Sequence, residues 1–590
     1  MGMIINHERN KWILAIVVFV WFVMPSASHA TVSPLLSTSW HQQSPYNLQC
    51  PMTTVGGSTH SAAGCGAIAV SQILTKYKKP IHGFGHSYYE NTSSGIMTDV
   101  DYSALTMEWD KVQNSYISTY MGTESEDAVA SIVYQVGAAM QMSYGTSSAP
   151  KNMGQMMWGL QHYLHMSPQC RYRNRIFYST NEWLEMLRCE LANGRPVYYK
   201  GEWLFAEQSA AHIFVIDGIS ADGKYHVNFG HGASHNMYVD LNVLNYTQNY
   251  AFPGGRTVCY NVGQSMITDF YPVDGLSDSD YSAHSLILSS NIHFSDDMKA
   301  ERKVMALGGT LRLKMDIRDC SLVGGATPFG LGIYKNGQLL QVLRDASRPN
   351  VTFSMGGLVG TRTASLTMPT GLANGDYELR LVSSPDEGQT WEAIWDNAPN
   401  VMNMNVNNGV VTILLHHDYT GETRLYLRDQ VCRVNNYYQN VTNGVKGEAF
   451  KVALRNPTEN NFENLIRMTF TVQGTEQVYD VKTSVYGGCD VDYVILVPTS
   501  SIDLEGKSYS VKVSYYEKNL GEYIELSTSP TVGDVDEDGK VSISDVTSLI
   551  DYLLGNGIDV EISQADCNFD GRISIDDLTC LIDMLLRGRF

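Results

Sequence analysis

The sequence predicts a multidomain protein in which an α+β domain is followed by two β-sandwich domains and a small α-helical module. Three observations support this fold class. The 590 residues exceed what one hydrophobic core usually serves. Mixed helical and strand patterns give way to strand-length apolar segments after about residue 283. The end of the chain contains an internal repeat, with one copy beginning at Asp534 and the other at Asp566.

The composition is that of folded, acidic domains. Hydrophobic residues make up 43% of the chain and charged residues 17%, which argues against a disordered or collagen-like protein. The formal net charge of −20 excludes a typical nucleic-acid binder, because phosphate backbones require clustered Lys and Arg. Acidic residues are concentrated at the carboxyl end of the chain: from Val532 to Phe590 there are 13 Asp and Glu residues and 4 Lys and Arg residues.

The first 30 residues have the pattern of a secretory signal peptide. Arg9 and Lys11 precede an apolar segment, Trp12–Met24, which is short for a membrane-spanning helix, and small residues end the segment at Ala30. A permanent membrane anchor is the alternative. No later stretch approaches the roughly 18 apolar residues that a span needs. We therefore expect a secreted or cell-surface protein that has no membrane span once residues 1–30 are removed.

Residues 31–275 form the predicted α+β domain, and their clearest chemical feature is Cys65. It lies between two glycines at the start of an apolar helical pattern, with no acidic residue nearby. Backbone N–H groups are unpaired at a helix start, and the helix dipole there favours a thiolate. Flanking glycines such as Gly64 would also let a substrate backbone approach closely. Cys65 is therefore a candidate nucleophile.

Two later segments supply candidate partners for this thiol. His212 begins an otherwise apolar strand pattern, and Asn228 lies among apolar residues in the next one. Adjacent strands would place the Asn228 amide against the imidazole and fix its tautomer. Taken singly, a buried Cys or a strand His is usually structural. The order Cys, His, Asn favours a catalytic set, with His60 as a competing base.

Several segments of this domain resemble the streptopain family of cysteine peptidases, a bacterial branch of the papain-like fold. The matching segments are Trp40-His41-Gln42, Pro45-Tyr46-Asn47, Ala62-Ala63-Gly64-Cys65, Arg195–Tyr199, Ala211–Gly218 and Tyr225–Gly230. The resemblance implies that Cys65 is the nucleophile, His212 the general base, Gln42 an oxyanion-hole donor and Asn228 the group that orients the imidazole. It also implies that catalysis needs no cofactor and that the substrates are proteins or peptides.

The chain departs from the family pattern at two points. The family usually has Trp after the Asn and then Gly-Trp-Gly, whereas this chain has Phe229 and then His231 between two glycines. Phe229 is expected to shield the Asn–His pair, and both residues are expected at the substrate-binding wall. Only about ten residues separate Ala30 from Trp40. A propeptide of that length cannot fold over a cleft, so the source of latency stays open.

The middle of the chain predicts two β-sandwich (Ig-like) domains, at 283–430 and 431–530. Short strand patterns separated by turn residues recur in both. Asn336-Gly337 predicts a two-residue hairpin in the first, because type I′ turns need positive φ at both central positions. Neither domain contains a catalytic constellation, so we expect spacers or binding modules. The ten cysteines are scattered, and the sequence leaves their pairing open.

Residues 531–590 contain two loops with the EF-hand order of oxygen ligands, each followed by an apolar helical pattern. The predicted calcium ligands, with Lys540 and Arg572 acting through their carbonyls, are Asp534, Asp536, Asp538, Lys540, Ser542 and Asp545 in the first loop and Asp566, Asn568, Asp570, Arg572, Ser574 and Asp577 in the second. A duplicated loop and helix with Asp at the last ligand position resembles the dockerin type I module. The resemblance implies two structural Ca²⁺ sites and a cohesin-like partner.

Together these features predict a secreted cysteine endopeptidase held in place by a calcium-dependent C-terminal module. Two other functions stay open. A transglutaminase-like acyl transferase would share the Cys–His pair but carry Asp where this chain has Asn228. An adhesin or scaffold component with an inactive cysteine domain would be compatible with Phe229 and His231.

Overall fold

The computed structural model describes residues 31–91, 95–150, 152–205, 208–233, 236–242, 245–248, 256–277, 281, 286–319, 325–353, 358–434, 447–527, 532–536, 540–556, 560, 562–568 and 572–587. The predicted signal peptide lies outside the described residues, as do the predicted ligands Asp538 and Asp570. None of the helices in the described part of the chain is long and apolar enough to cross a membrane.

The described helices lie at the two ends of the chain. In the first 275 residues they are α1 Cys65–Tyr77, α2 Glu124–Ala139, α3 Met153–Leu164 and α4 Thr180–Ala192, with short 3-10 turns at Tyr102–Ala104, Trp109–Lys111 and Arg175–Phe177. At the carboxyl end they are α5 Ile543–Leu553, α6 Ile562–Ala565 and α7 Ile575–Arg587. Capping boxes begin α2, at Thr123 and Glu126, and α4, at Ser179 and Glu182, because each pair satisfies otherwise free N–H groups.

The N-terminal α+β region is organised around a six-stranded antiparallel sheet with the order β5-β12-β6-β7-β8-β9. The strands of this region are β1 His86–Asn91, β2 Ile96–Asp101, β3 Met142–Ser143, β4 Ala149–Pro150, β5 Arg171–Asn174, β6 Val197–Phe205, β7 Gln208–Ile219, β8 Tyr225–Asn228, β9 Met237–Val239, β10 Asn245–Gln248, β11 Arg256–Cys259 and β12 Val262–Thr268. Apolar side chains of α1, including Ile68 and Ile73, are fully buried in one core with Ile213 and Val215 of β7.

The next region is mostly β-structure and contains two sheets that share one core. Its strands are β13 Leu286–Leu288, β14 His293–Phe294, β15 Arg302–Ala306, β16 Thr310–Asp319, β17 Gly325–Lys335, β18 Gln338–Leu343, β19 Asn350–Phe353, β20 Leu358–Thr367, β21 Gly375–Ser383, β22 Glu392–Ala393, β23 Trp395–Asp396, β24 Met402–Asn407 and β25 Val410–Leu414. Leu313 of one sheet and Leu331 of the other are fully buried in the shared core. The predicted hairpin is confirmed: Asn336 and Gly337 have φ of 51° and 77° and join β17 to β18.

A second β region follows, also with two sheets and its own core. Its strands are β26 Tyr426–Leu427, β27 Cys432–Arg433, β28 Gly447–Asn456, β29 Phe462–Val472, β30 Thr475–Val485, β31 Cys489–Pro498, β32 Tyr509–Glu517 and β33 Glu522–Glu525. β26 pairs with β28. Tyr426 and Leu427 thus belong to a sheet of this region, and the predicted division at residue 431 stays a prediction.

The terminal module packs α5 against α7 around a small apolar core. Leu549 and Leu581, at equivalent places of the repeat, are fully buried. Ser542 caps α5, and its hydroxyl accepts from the Ser544 N–H at 3.1 Å. The module thus repeats a loop followed by an amphipathic helix, as the sequence pattern predicts.

Candidate active site

Cys65 is the first residue of α1, and a tight loop precedes it. Gly64 has φ of 89°, a backbone conformation that side chains other than glycine rarely adopt. A Cβ there would collide with the Met142 methyl group and lie 2.8 Å from the Ser148 carbonyl oxygen. The missing side chain of Gly64 thus makes room for these neighbours. Our expectation that it makes room for substrate is not supported by this packing.

Strand β7 brings His212 next to this helix start. His212 lies opposite Gly201 of β6, in the middle of the sheet. A Cβ added to Gly66, the residue after Cys65, would lie 3.3 Å from Cδ1 of Ile213, the residue after His212. The start of α1 and the strand segment at His212 are therefore neighbours, because α1 packs across β7 in one core. His60, the competing base, instead hydrogen-bonds the Cys50 carbonyl at 2.7 Å.

The imidazole of His212 is buried, and one of its nitrogens has a backbone partner. Nε2 lies 2.8 Å from the carbonyl oxygen of Phe229. Since a carbonyl can only accept, this contact requires the proton on Nε2 and leaves Nδ1 as the basic nitrogen of the neutral ring. Phe229 is fully buried, and its ring centroid lies 5.2 Å from that of Phe214. It therefore packs beside the histidine, and the expected contact of its side chain with substrate stays a prediction.

Asn228 lies close by but does not orient the imidazole directly. Strand β8 pairs with β7 so that Asn228 is opposite Val215, three residues from His212. Its Nδ2 donates to the Thr38 carbonyl at 2.7 Å, and its Oδ1 accepts from Gly230 N–H at 3.1 Å. Both residues are described, and the hydrogen bonds that they make do not include the predicted one between Asn228 and His212. Asn228 instead holds the turn that aims the Phe229 carbonyl.

Gln72 is a functional-site residue that the sequence reasoning missed. It is fully buried on α1, two turns after the thiol. Its Oε1 accepts from the Trp40 N–H and from Asn228 Nδ2, each at 3.1 Å. The side chain thus ties the nucleophile helix to the Gln42 segment and to the turn after β8. A polar residue within the apolar pattern of α1 was the available signal.

The role of Gln42 as an oxyanion-hole donor stays a prediction, and the structure shows how its segment is held. Its carbonyl accepts from the Ala63 N–H at 3.0 Å, which holds the Gln42 segment beside the residues that precede Cys65. The Gln42 side chain makes no hydrogen bond to any residue in the described ranges. Its amide N–H₂ is therefore available, together with the Cys65 N–H, for a negatively charged oxygen.

Burial disfavours the charged forms of both Cys65 and His212. It raises the pKa of the Cys65 thiol, against the lowering by backbone N–H groups and Lys200. The lowering expected from the helix start is thus outweighed, because desolvation disfavours the thiolate. Burial and the nearby His231, whose ring lies 4.6 Å away, lower the pKa of His212 to about 3. His231 is half-exposed, so its place in a substrate wall stays a prediction.

The first terminal loop gathers three of its predicted ligands. Carboxylate oxygens of Asp534, Asp536 and Asp545 all lie within 4.8 Å of one another. Asp545 is fully buried and accepts backbone N–H groups from the loop, including that of Ser542 at 2.7 Å. Such a cluster of hard oxygen donors suits Ca²⁺. The Ser542 hydroxyl caps α5. Its predicted role as a calcium ligand therefore stays a prediction.

The second loop is built in the same way. Asp577 is fully buried and accepts from the Asn568 N–H at 3.1 Å and the Ser574 N–H at 2.7 Å. Asp566, which opens the loop, is buried as Asp534 is. The described residues of both loops therefore fit a calcium ion. Lys540 and Arg572 are exposed, which leaves their carbonyl contribution a prediction.

A thiol at a helix start, beside a histidine on an antiparallel sheet, defines the class of papain-like cysteine peptidases. The sequence model of the Peptidase C10 family matches residues 40–239, and that of the dockerin type I domain matches residues 532–586. The chain thus contains a Peptidase C10 (streptopain family) domain and a dockerin type I domain. The predicted resemblances are confirmed, and with them the class of the first domain, a cysteine peptidase domain. Dockerin type I domains are calcium-binding.

Three relatives each match between 38% and 42% of the chain. The thiol protease/hemagglutinin PrtT of Porphyromonas gingivalis is 31% identical over 226 residues, which are 38% of this chain and 24% of that protein. Streptopain of Streptococcus pyogenes is 27% identical over 253 residues, 40% of this chain and 60% of that protein. The active wild-type interpain A cysteine protease of Prevotella intermedia is 30% identical, with a TM-score of 0.37, over 42% of this chain and 98% of that one. The chain therefore spans less than two thirds of the two curated relatives.

Proposed function

We propose that the protein is an exported cysteine endopeptidase that hydrolyses peptide bonds with Cys65 and His212. The observation that carries this proposal is the packing of the start of α1 on β7: a Cβ added to Gly66, the residue after Cys65, would lie 3.3 Å from Cδ1 of Ile213, the residue after His212. The Phe229 carbonyl supports the role of His212, since it leaves Nδ1 free to accept a proton.

In the proposed reaction, Sγ of Cys65 attacks the carbonyl carbon of the scissile bond while its proton passes to Nδ1 of His212. The oxyanion that forms would accept hydrogen bonds from the Cys65 N–H and the Gln42 side chain, typically worth about 3 kcal/mol per donor. The C–N bond then breaks, and the imidazolium gives its proton to the leaving amine. Water, activated by the same imidazole, hydrolyses the thioester and restores the thiol.

A thiol-directed epoxide inhibitor tests this assignment. We expect one covalent adduct per chain in the wild type, none in Cys65→Ala, and an unchanged adduct in Cys189→Ala, a control that removes an exposed free thiol. Peptide cleavage should disappear with the adduct. Absence of Cys65-dependent labelling would contradict the proposal and favour an inactive adhesin or scaffold component. Labelling with amine incorporation in place of hydrolysis would favour the transglutaminase-like transferase.

We further propose that the terminal module holds two structural Ca²⁺ ions, one in each loop. Asp534, Asp536 and Asp545 support the first site, because three carboxylates this close repel one another without a cation. The similar hydrogen bonds of Asp545 and Asp577 support the second. Calcium would stabilise the module and take no part in the cysteine chemistry.

A calcium titration followed by circular dichroism tests the two sites. Helicity of the full chain should rise with Ca²⁺ and fall with a chelator. Asp545→Asn and Asp577→Asn should each weaken the response, whereas Asp551→Asn, a control on α5 outside both loops, should leave it unchanged. Helicity indifferent to both Ca²⁺ and chelator would contradict the proposal.

The same module is proposed to bind a cohesin-like partner and so to tether the enzyme at the cell surface. Large apolar side chains are exposed at equivalent positions of its two repeats: Ile543 and Ile575 at 75% and 66%, and Leu554 and Leu586 at 60% and 64%. Exposed apolar residues of this size are typical of protein-binding surfaces. We infer that the two β regions are Ig-like β-sandwiches at 283–430 and 431–530, which lie in the chain between the peptidase domain at 31–275 and this tether.

The proposal of export rests on residues 1–30 alone. Cells that produce the protein should secrete it in a form that is cleaved after Ala30, which would support the signal peptide. A protein that still contains Arg9 and Lys11 and is found in the membrane fraction would favour the membrane anchor. Mass spectrometry of the secreted protein distinguishes the two outcomes.

A further inference from the structure

The second β region contacts the catalytic domain at an irregular segment, Tyr260–Gln264, where β12 begins. The pairing of β12 with β6 shifts register between Val262 and Ser265, so the ladder is interrupted there. The freed N–H of Gly263 donates to Oε1 of Glu463, on β29, at 2.5 Å. β-Bulges are common beside active sites, where they re-aim nearby groups. A carboxylate of one domain thus satisfies a backbone group of the other.

Neighbouring groups make this contact a packed interface. Asn261 Nδ2 donates to the Tyr493 hydroxyl at 3.1 Å. The guanidinium of Arg175 lies 3.9 Å from the Tyr486 ring centroid. Asn261, Arg175 and Tyr486 are all at most 1% exposed. These contacts are polar but buried, so a relative movement of the two domains would leave buried polar groups without partners.

The same segment touches the catalytic histidine on its other side. The ring of Tyr260 lies 5.3 Å from that of His212. The Tyr260 carbonyl lies so close to Gly201, the partner of His212 across the sheet, that a Cβ on Gly201 would collide with it. Tyr260 is buried, so it cannot move without a change in this packing. The position of the segment therefore limits the position of the His212 ring.

We propose that Glu463 is a positioning residue for His212, and that the second β region is thereby a working part of the active site rather than a spacer. Glu463 holds Gly263, Gly263 fixes the start of β12, and Tyr260 then packs against the imidazole. Burial raises the pKa of Glu463, and Lys482 lowers it in part. This inference rests on the proposed peptidase function for its kinetic consequence, although the positioning itself can be measured without turnover.

The test compares Glu463→Ala with Glu463→Gln in the full chain. The alanine variant loses the acceptor, so kcat should fall on the order of 10- to 100-fold, as for small displacements of a catalytic group, with little change in KM. The glutamine oxygen can still accept from Gly263, so Glu463→Gln should recover most of kcat. Asp480→Asn is the matched control, since Asp480 pairs with Arg467 elsewhere on the same domain. It should keep wild-type kcat.

A second readout separates this inference from the proposed function. The NMR signals of the His212 ring, assigned with His212→Gln, should shift in Glu463→Ala and remain near wild type in Glu463→Gln. If Glu463→Ala does not fold, Tyr493→Phe removes the hydroxyl that accepts from Asn261 and that also bonds the Ser484 backbone, and a smaller shift is expected. Unchanged ring signals in the folded variants would overturn the inference, whether or not the wild type cleaves peptides. A wild type without cleavage but with shifted ring signals would overturn only the proposed function.

Discussion

Backbone groups, more than side chains, set the chemistry of the individual site residues. The Phe229 carbonyl selects the His212 tautomer, and backbone N–H groups partly offset the raised pKa of the Cys65 thiol. Asn228 acts one step away, through the turn that presents Phe229. Burial raises the pKa of the Cys65 thiol and lowers the pKa of His212, so it disfavours the charged form of each group.

Alkylation of Cys65 in His212→Ala tests this electrostatic account. Burial raises the pKa of the thiol, so without the base the thiolate should form only at pH above the ordinary thiol range. The rate of iodoacetamide labelling should therefore rise with pH throughout the alkaline region. A rate that is already maximal near neutral pH would show that the helix start dominates instead. Cys65→Ala provides the background rate.

The pH dependence of stability tests the state of His212. Its pKa of about 3 in the folded protein lies below the value of about 6.5 in the unfolded chain. The unfolded state therefore binds the proton first, so the free energy of unfolding should fall as pH decreases from about 6.5 towards 3. His212→Gln should show a shallower fall over that window, as measured by urea denaturation. Parallel pH curves for the two proteins would contradict the lowered pKa.

Gln72→Leu tests the buried connection between the site segments. The Trp40 N–H and the Asn228 amide lose their partner, so the free energy of unfolding should fall by about 1–3 kcal/mol. Gln49→Leu, at an exposed position, is the control and should change it by less than about 0.5 kcal/mol. Urea denaturation measures both. Equal effects of the two substitutions would mean that Gln72 is not a structural connection.

At the scale of elements, the start of α1 and the strand of His212 could be predicted because their signals are local. Glycines beside a cysteine, then an apolar helical pattern, indicate a helix start, and an apolar strand pattern after His212 indicates a buried strand. The Asn228 contact could not be predicted, because it depends on the register of β7 and β8, which shifts between Ile216 and Gly218. The Glu463–Gly263 contact could not be predicted either, because it joins two domains and no local sequence pattern indicates it.

Gly64→Ala tests the tight loop before α1. The alanine would need a positive φ and would collide with Met142 and the Ser148 carbonyl, so we expect lower stability and a shifted Cys65. Gly56→Ala is the matched control, since Gly56 has a similar φ of 74° but nothing within 4 Å. Gly56→Ala should lower the free energy of unfolding by the backbone strain alone, about 1 kcal/mol. If kcat/KM falls equally in both variants, the collision is irrelevant.

At the scale of the whole molecule, the peptidase and the calcium-binding module are expected to be separable, whereas the peptidase and the second β region are not. The buried interface at Arg175 and Tyr486 joins the latter pair. Chelation of Ca²⁺ should therefore reduce helicity of the terminal module and leave kcat/KM for a small peptide within about twofold. Loss of peptidase activity on chelation, restored by Ca²⁺, would show that the module also supports the active site.

The most direct test of the central claim is the identity of the acylated residue during turnover. A slowly hydrolysed peptide ester, quenched in acid and followed by peptide mapping with mass spectrometry, should place one acyl group on Cys65, with none on the protein in Cys65→Ala. His212→Ala should slow the formation of this thioester. Peptide hydrolysis with no acyl group on Cys65, or with the acyl group on another cysteine, would contradict the account.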